Sequence, residues 1–178
     1  MLDFYQYACI VRARQASDRG LSSIMVASDW FHLCNLYPRY QIMAAHTLTE
    51  SQQQALLHAA RAARLKAYAP YSKFLVGVAV LDDQGRIHAG CNVENAAYPE
   101  GVCAEAGALS AMVLSGGKRA QAVLVVGTGG AWITPCGGCR QKLREFCAPD
   151  TPILTANEDA LGPRYTMAQL LPDSFGPD

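Results

Sequence analysis

The sequence predicts an α/β domain of three layers, with helices on both faces of a five-stranded mixed sheet. Three observations predict it. Helical and strand periodicities alternate along residues 47–178, the pattern of helices packed on a shared sheet. The first two strands flank a short turn, Asp82-Asp83-Gln84-Gly85, which makes them an antiparallel hairpin, while later strands are separated by helices and are free to run parallel. Residues 122–127 form a continuous apolar run, typical of a strand covered on both faces.

The elements follow in order. Thr47-Leu48-Thr49-Glu50 has capping-box spacing, and Thr49 with Gln52 offers a second register. Leu56, Ala59, Ala60, Ala63 and Ala67 then recur at helical spacing, and the helix stops before Pro70. Residues 74–81 read as a strand and residues 86–93 as its hairpin partner. Residues 103–114 read as a buried helix, closed by Ser115-Gly116-Gly117. The apolar run at 122–127 is the third strand, and residues 137–147 form a helix that ends before Pro149. Residues 152–155 are a short strand, 164–166 supply a fifth, and 167–171 a last helical turn. This order implies a sheet antiparallel at its start and parallel later.

Composition bounds the function. Of 178 residues about half are apolar and 17% are charged, which supports a buried core and excludes disorder of the whole chain. Lys plus Arg and Asp plus Glu each number 15, so the net charge is zero. Without a basic excess or stripe, a small-molecule partner is favoured over nucleic acid. No stretch approaches the ~20 apolar residues of a membrane span, and the start, Met1-Leu2-Asp3-Phe4-Tyr5, lacks a secretory pattern. A cytoplasmic location is expected. Seven cysteines in that setting point to metal or catalytic roles rather than disulfides.

Residues 1–46 differ from the rest. They hold aromatics and charges without a sustained period, and Met43 just precedes the first clean helix. They read as a poorly ordered extension, and residues 47–178 as the functional domain.

Two segments carry the chemistry: Cys103-Ala104-Glu105 and Pro135-Cys136-Gly137-Gly138-Cys139. Alone, the Cys-x-x-Cys pair fits a redox pair, half a structural zinc site, or chance. One further thiol with a carboxylate two residues on changes the balance. Three protein ligands plus a nearby carboxylate is the pattern of catalytic zinc with one open position. All three cysteines fall at predicted helix starts, where partial positive charge keeps thiols ionised. Glu105 also suits a first helical turn on dipole grounds alone. His or Cys, then x-Glu, then Pro-Cys-x-x-Cys is the signature of zinc deaminases of nucleobases. In that chemistry zinc activates a water for attack at C4 of cytosine. Glu105 moves the proton to ring N3 and then to departing ammonia.

Further motifs extend the match. They are Tyr68-Ala69-Pro70-Tyr71-Ser72-Lys73-Phe74, the run from Gly90 through Asn92, Glu94 and Asn95 to Pro99, Arg140-Gln141 after Cys139, and Leu170-Leu171-Pro172-Asp173-Ser174-Phe175-Gly176. With them, residues 47–178 resemble the cytidine deaminase family, in its short, three-cysteine, homotetrameric branch. The resemblance implies the cytidine deaminase-like fold, one Zn²⁺ per chain on Cys103, Cys136 and Cys139, and Glu105 as the catalytic acid–base. It implies that Asn92 and Glu94 bond the ribose 3′-hydroxyl. An amide and a carboxylate at i and i+2 do project to one face of a strand, although a polar strand end has the same look. It implies that Phe74, otherwise an ordinary core aromatic, packs against the pyrimidine. Val93, Asn95, Ala96, Ala97 and Tyr98 complete the substrate site, and backbone near Ala104 and Pro135 reads the base edge. Tyr71, Tyr98 and Phe175 are implied in a neighbouring subunit's pocket. Cys91 and Cys147 are buried thiols without a ligand role.

One departure is clear. Many members carry Arg directly after the catalytic Glu, bonded to the ligand sulfurs; here Ala106 and Gly107 follow. Arg140 is expected to serve the sulfurs alone. The implied activity is hydrolytic deamination of cytidine and deoxycytidine in pyrimidine salvage. The other readings are a deaminase of another aminopyrimidine and a zinc-stabilised binding module without catalysis.

Overall fold

The computed structural model describes residues 48–176. The expectations for residues 1–46, and the Thr47 capping register, lie outside the described residues. Helix α1 (Glu50–Arg64) starts on the second capping register. The Thr49 hydroxyl accepts from the Gln52 N–H at 3.2 Å, and Gln52 Oε1 accepts from the Thr49 N–H at 3.0 Å. Such a cap stabilises a helix by roughly 1 kcal/mol. Glu50 in the first turn and Arg61 and Arg64 in the last complement the helix dipole.

Strands β1 (Val76–Asp82) and β2 (Ile87–Cys91) form the expected antiparallel hairpin, registered from Gly77 opposite Cys91 to Leu81 opposite Ile87. Its turn is built by Asp82, whose Oδ1 accepts the N–H groups of Gln84 and Arg86 at 2.9 and 2.8 Å. A 3₁₀ turn (Tyr98–Glu100) leads to α2 (Ala104–Leu114) and β3 (Ala120–Gly127). Helix α3 (Gly137–Phe146), β4 (Pro152–Ala156), β5 (Leu161–Thr166) and the short α4 (Met167–Leu170) complete the order.

The sheet runs β2-β1-β3-β4-β5, five strands as expected. β1 pairs β3 antiparallel and β3 pairs β4 parallel across the α3 crossover. The expectation of parallel pairing later in the sheet stops there, because β5 is antiparallel to β4. The reason is the short connection between them, which only an antiparallel pair can close. In it Asn157 Oδ1 accepts the N–H groups of Asp159 and Ala160 at 2.9 and 2.8 Å.

Two apolar layers flank the sheet. Val78, Val80, Val123 and Val125 point to one face, against α2 and α3. Ala79, Leu81, Leu124 and Val126 point to the other, against Leu56, Leu57 and Ala60 of α1. Burial of both faces is why the β3 run is continuously apolar. Two glycines mark where helix meets sheet. A Cβ on Gly77 would lie 2.1 Å from the Ala60 carbonyl oxygen, and one on Gly90 2.3 Å from the Ala108 amide nitrogen. The second contact presses the end of β2 onto the start of α2, which brings Asn92 beside Cys103.

Helix α2 departs from the sequence expectation of full burial. Ala104, Glu105, Ala108, Leu109 and Met112 face the sheet, whereas Val113 and Leu114 are exposed. The sheet covers only one face of the helix. Among the described residues, no helix is long and apolar enough to cross a membrane.

Candidate active site

Two helix starts converge on one point. Cys103 is the N-cap of α2 and Cys136 the N-cap of α3. Cys139 lies in the first turn of α3 and is buried. The three sulfur atoms lie within 4.8 Å of one another. The local electrostatics favour a cation among them. Burial pushes the Cys139 thiol far above its ordinary value, and the Glu105 charge pushes it further. Burial likewise raises Cys103. At Cys136 burial also acts upward, but hydrogen bonds from the Cys139 N–H and from its thiol outweigh it and draw Cys136 down. Three thiols and a carboxylate this close cannot all ionise unless positive charge is supplied. A soft divalent ion supplies it, and a thiolate set of this kind suits zinc.

Glu105 is buried in the first turn of α2, with Oε2 accepting from the Cys139 thiol at 3.1 Å. It lines a cavity of about 330 Å³ with Phe74, Val76, Asn92, Ala104, Ile133 and Thr134, and with Cys103 and Cys136 at its edge. A second cavity of about 480 Å³ adjoins it, since Asn92 and Cys103 line both. Tyr71, Ser72, Val93, Glu94, Asn95 and Tyr98 contribute to that second space. One space meets the carboxylate and sulfurs; the other meets an amide, a second carboxylate and aromatic rings. Together they can seat a flat polar ring joined to a polyhydroxyl group.

The segment carrying Asn92 and Glu94 is not part of β2, contrary to the predicted strand 86–93. Val93 forms bridges with Tyr68 on one side and Val102 on the other. The Tyr68 N–H donates to the Asn92 carbonyl at 3.0 Å, and the Glu94 N–H to the Tyr68 carbonyl at 2.8 Å. These bonds keep the segment extended, so Asn92 and Glu94 still face one side as their i, i+2 spacing requires.

Other expected residues sit differently. Ala96 and Ala97 lie outside both cavity linings; the Ala97 N–H donates to Asn95 Oδ1 at 2.9 Å in the turn before Tyr98. Tyr71 and Tyr98 line this chain's own cavity. Phe175 does not, and its ring is 89% exposed. Arg140 departs from its expected service to the sulfurs. Its Nε donates to the Pro135 carbonyl at 2.8 Å, Nη1 to the Leu170 carbonyl at 2.9 Å and Nη2 to Thr134 Oγ1 at 3.0 Å. One turn of α3 past Cys136, its guanidinium reaches back to the loop before that cysteine and ties it to the end of α4. Ser72, Val76, Gly101, Val102, Ile133 and Thr134 line the cavities without being expected from the sequence. Ser72 lies within the Tyr68–Phe74 motif and Thr134 directly precedes Pro135, so adjacency to a motif is the signal that points to them.

Residues 50–155 match the family model described as the cytidine and deoxycytidylate deaminase zinc-binding region. The cytidine deaminase of Sporosarcina psychrophila is 40% identical over 122 residues, which span 68% of this chain and 90% of that protein. The cytidine deaminase of Mycobacterium tuberculosis H37Rv is 43% identical over 112 residues, 63% of this chain and 80% of that protein. Among solved structures, the cytidine deaminase of Burkholderia pseudomallei superposes with a TM-score of 0.66 at 41% identity, covering 72% of this chain and all of that one. That of Mycobacterium leprae gives a TM-score of 0.60 at 45% identity over 68% of this chain and 98% of its own. With three sulfurs and a buried carboxylate gathered at paired helix starts, this chain belongs to the zinc-binding cytidine and deoxycytidylate deaminase family.

Proposed function

We propose that the protein hydrolyses free cytidine and deoxycytidine to uridine and deoxyuridine plus ammonia, a hydrolase reaction at the C–N bond of a cyclic amidine, in pyrimidine salvage. The observation that carries this reading is the placement of Glu105, against the sulfur cluster and at the wall of a cavity that opens toward Asn92 and Glu94. Cys103, Cys136 and Cys139 would hold the ion. When bound, zinc supplies an ionised water at neutral pH and polarises the reacting centre. Glu105 takes a proton and returns it, first to the ring nitrogen and then to the leaving amine. Its burial favours short proton transfers within a site that excludes bulk water. Phe74 packs against the base, with the backbone near Ala104 and Pro135 reading its edge.

Asn92 and Glu94 bind the sugar 3′-hydroxyl. Hydrogen-bond capacity supports this: a carboxylate has about four acceptor sites, so Glu94 retains capacity beyond the Tyr71 and Ser72 groups it already accepts, and Asn92 retains one N–H and one lone pair. A 3′-phosphate would meet the Glu94 charge, so the substrate is a free nucleoside rather than a polynucleotide. Val93, Asn95, Ala96, Ala97 and Tyr98 complete the sugar side. The protein works in the cytoplasm as a homotetramer whose pockets are shared through Phe175, and a chain starting at Met43 retains the activity.

The test is an assay with cytidine, deoxycytidine, cytosine and CMP, following loss of amine absorbance. Turnover of the first two alone is expected. Preference for CMP overturns the free-nucleoside reading, and no turnover of any leaves the binding-module reading.

A further inference from the structure

Asn92 and Glu94 are already engaged with the segment that carries Phe74. Glu94 Oε2 accepts the N–H of Tyr71 at 2.9 Å and that of Ser72 at 3.2 Å. Asn92 Oδ1 accepts the N–H of Val76 at 2.8 Å, and its Nδ2 donates to the Phe74 carbonyl at 2.9 Å. The segment between Ala69 and Val76 precedes β1 and has no ladder of its own to hold it. It is also tightly turned. The Lys73 N–H reaches the Ala69 carbonyl at 3.1 Å, and Ser72 Oγ accepts from the Phe74 N–H at 2.9 Å. Lys73 lies at φ 60, in the left-handed region that a non-glycine residue adopts only at a cost. A strained turn persists only where its surroundings over-determine it. Four hydrogen bonds from Asn92 and Glu94 do so here, and Thr128 Oγ1 adds two at Leu75, accepting its N–H at 2.9 Å and donating to its carbonyl at 3.0 Å. The anchor is charged: the Ser72 side chain first, then the two amides and the Lys73 ammonium, hold the Glu94 carboxyl below its ordinary range.

We propose that Asn92 and Glu94 are positioning residues for the base-binding wall, framing the 71–76 turn that sets Phe74 into the cavity of Glu105. This rests on the reading of the protein as a nucleoside deaminase and deepens it. Sugar recognition and base placement then share one pair of side chains, and damage to the sugar side is transmitted to the reacting base through Phe74.

The test separates the two roles with 2′,3′-dideoxycytidine, which offers no 3′-hydroxyl. A group that serves the sugar alone is silent toward that substrate. For Glu94→Ala we expect kcat/KM on the dideoxynucleoside to fall on the order of tenfold to a hundredfold, the scale of small misplacements in an active site. In the substrate-free protein, amide hydrogen exchange at Tyr71 and Ser72 should accelerate in the same variant. Glu94→Gln, whose amide oxygen still accepts both N–H groups, should restore both readouts to near wild type. Unchanged turnover of the dideoxynucleoside by Glu94→Ala, or unchanged exchange at Tyr71 and Ser72, overturns the proposal. A wild-type protein inert toward cytidine refutes the deaminase reading only, because exchange decides the framing role without any substrate.

Discussion

Glu105 and Cys139 are in direct contact, the thiol donating to carboxylate Oε2 at 3.1 Å. The pairing joins a residue of α2 to one of α3, across the point where both helices begin. A carboxylate so placed lies beside the sulfurs that would hold the ion, within reach of a water the ion would activate, and it also faces the cavity where the base would lie. Glu105→Gln keeps the shape and removes the ability to accept and return a proton. The expected outcome is full zinc content, an unchanged melting temperature and kcat reduced by ~10²–10⁴-fold. Turnover within tenfold of wild type would take Glu105 out of the mechanism.

Elemental analysis should find one zinc per chain, lost in Cys103→Ala, Cys136→Ala and Cys139→Ala. The control cysteines are chemically distinct. Cys147 lies in the core, where burial raises its thiol to about 12 against the weaker pull of Thr151 and Arg144. Its sulfur lies outside the cluster of Cys103, Cys136 and Cys139, so it offers no ligand there. Cys91 is half-buried at the end of β2, outside the sulfur cluster. Cys91→Ala and Cys147→Ala should keep their metal. Retention of zinc by Cys103→Ala would remove the three-thiolate site.

Much of this was legible in the sequence because the information is local. The Thr49–Gln52 box, the Asp82–Gly85 turn and the apolar run of β3 each act within a few residues. The sulfur cluster was legible for a related reason: Cys103, Cys136 and Cys139 are fixed by helix starts, and helix starts are local events. What escaped depends on contacts distant in sequence. The end of β2 is set by Tyr68 and Val102 bridging to Val93. The partners of Arg140 include a carbonyl at Leu170. β5 reads poorly because Leu161-Gly162-Pro163-Arg164-Tyr165-Thr166 contains both Gly and Pro, and an edge strand tolerates them where a central one does not. Its direction follows from the turn at Asn157, whose geometry no periodicity encodes.

Acid stability should depend on Asp82. Its carboxylate is fully buried at the end of β1 and accepts from Arg86 Nε and pairs with His88 Nε2, both at 2.8 Å. Burial acts to raise this carboxyl. The bonds from His88, from the Arg86 backbone and side chain and from Gln84 outweigh burial and hold it well below its ordinary value of 3.8. The folded pKa lies below the unfolded one, so the stabilisation is complete above about pH 4 and is lost progressively as pH falls toward the folded value. Arg86 is half-exposed and can be resolvated, so the cost of Asp82→Ala is that of leaving buried donors without their acceptor, roughly 1–3 kcal/mol. The urea midpoint of Asp82→Ala should therefore lie well below wild type at pH 7. That gap should narrow as pH falls below about 4. A gap independent of pH would show that Asp82 acts through packing alone.

The assembly prediction starts from apolar surface that the single chain leaves uncovered. Leu114 at the end of α2 is 90% exposed, with Val113 beside it. They border a groove of about 640 Å³ between α2 and α3, floored by Leu109 and Phe146. A surface helix of a monomer carries a polar stripe, and α2 has none. Phe175 adds a second such feature. Its carbonyl accepts from Gln141 Nε2 at 2.9 Å, and Ser174 Oγ accepts from Arg144 Nε at 3.0 Å, so the tail is held against α3 while the ring points away from this chain's own cavities. A fixed, outward aromatic is suited to closing a neighbour's pocket. Sedimentation should give a species of about four times the chain mass, a closed symmetric assembly. Leu114→Glu costs nothing in an isolated chain but places a charge in an apolar interface, so it should shift the protein to smaller species. Phe175→Ala should raise KM or lower kcat while zinc content stays at one per chain. A monomer with full activity would end the shared-pocket model and leave the sulfur–carboxylate site of the single chain untouched.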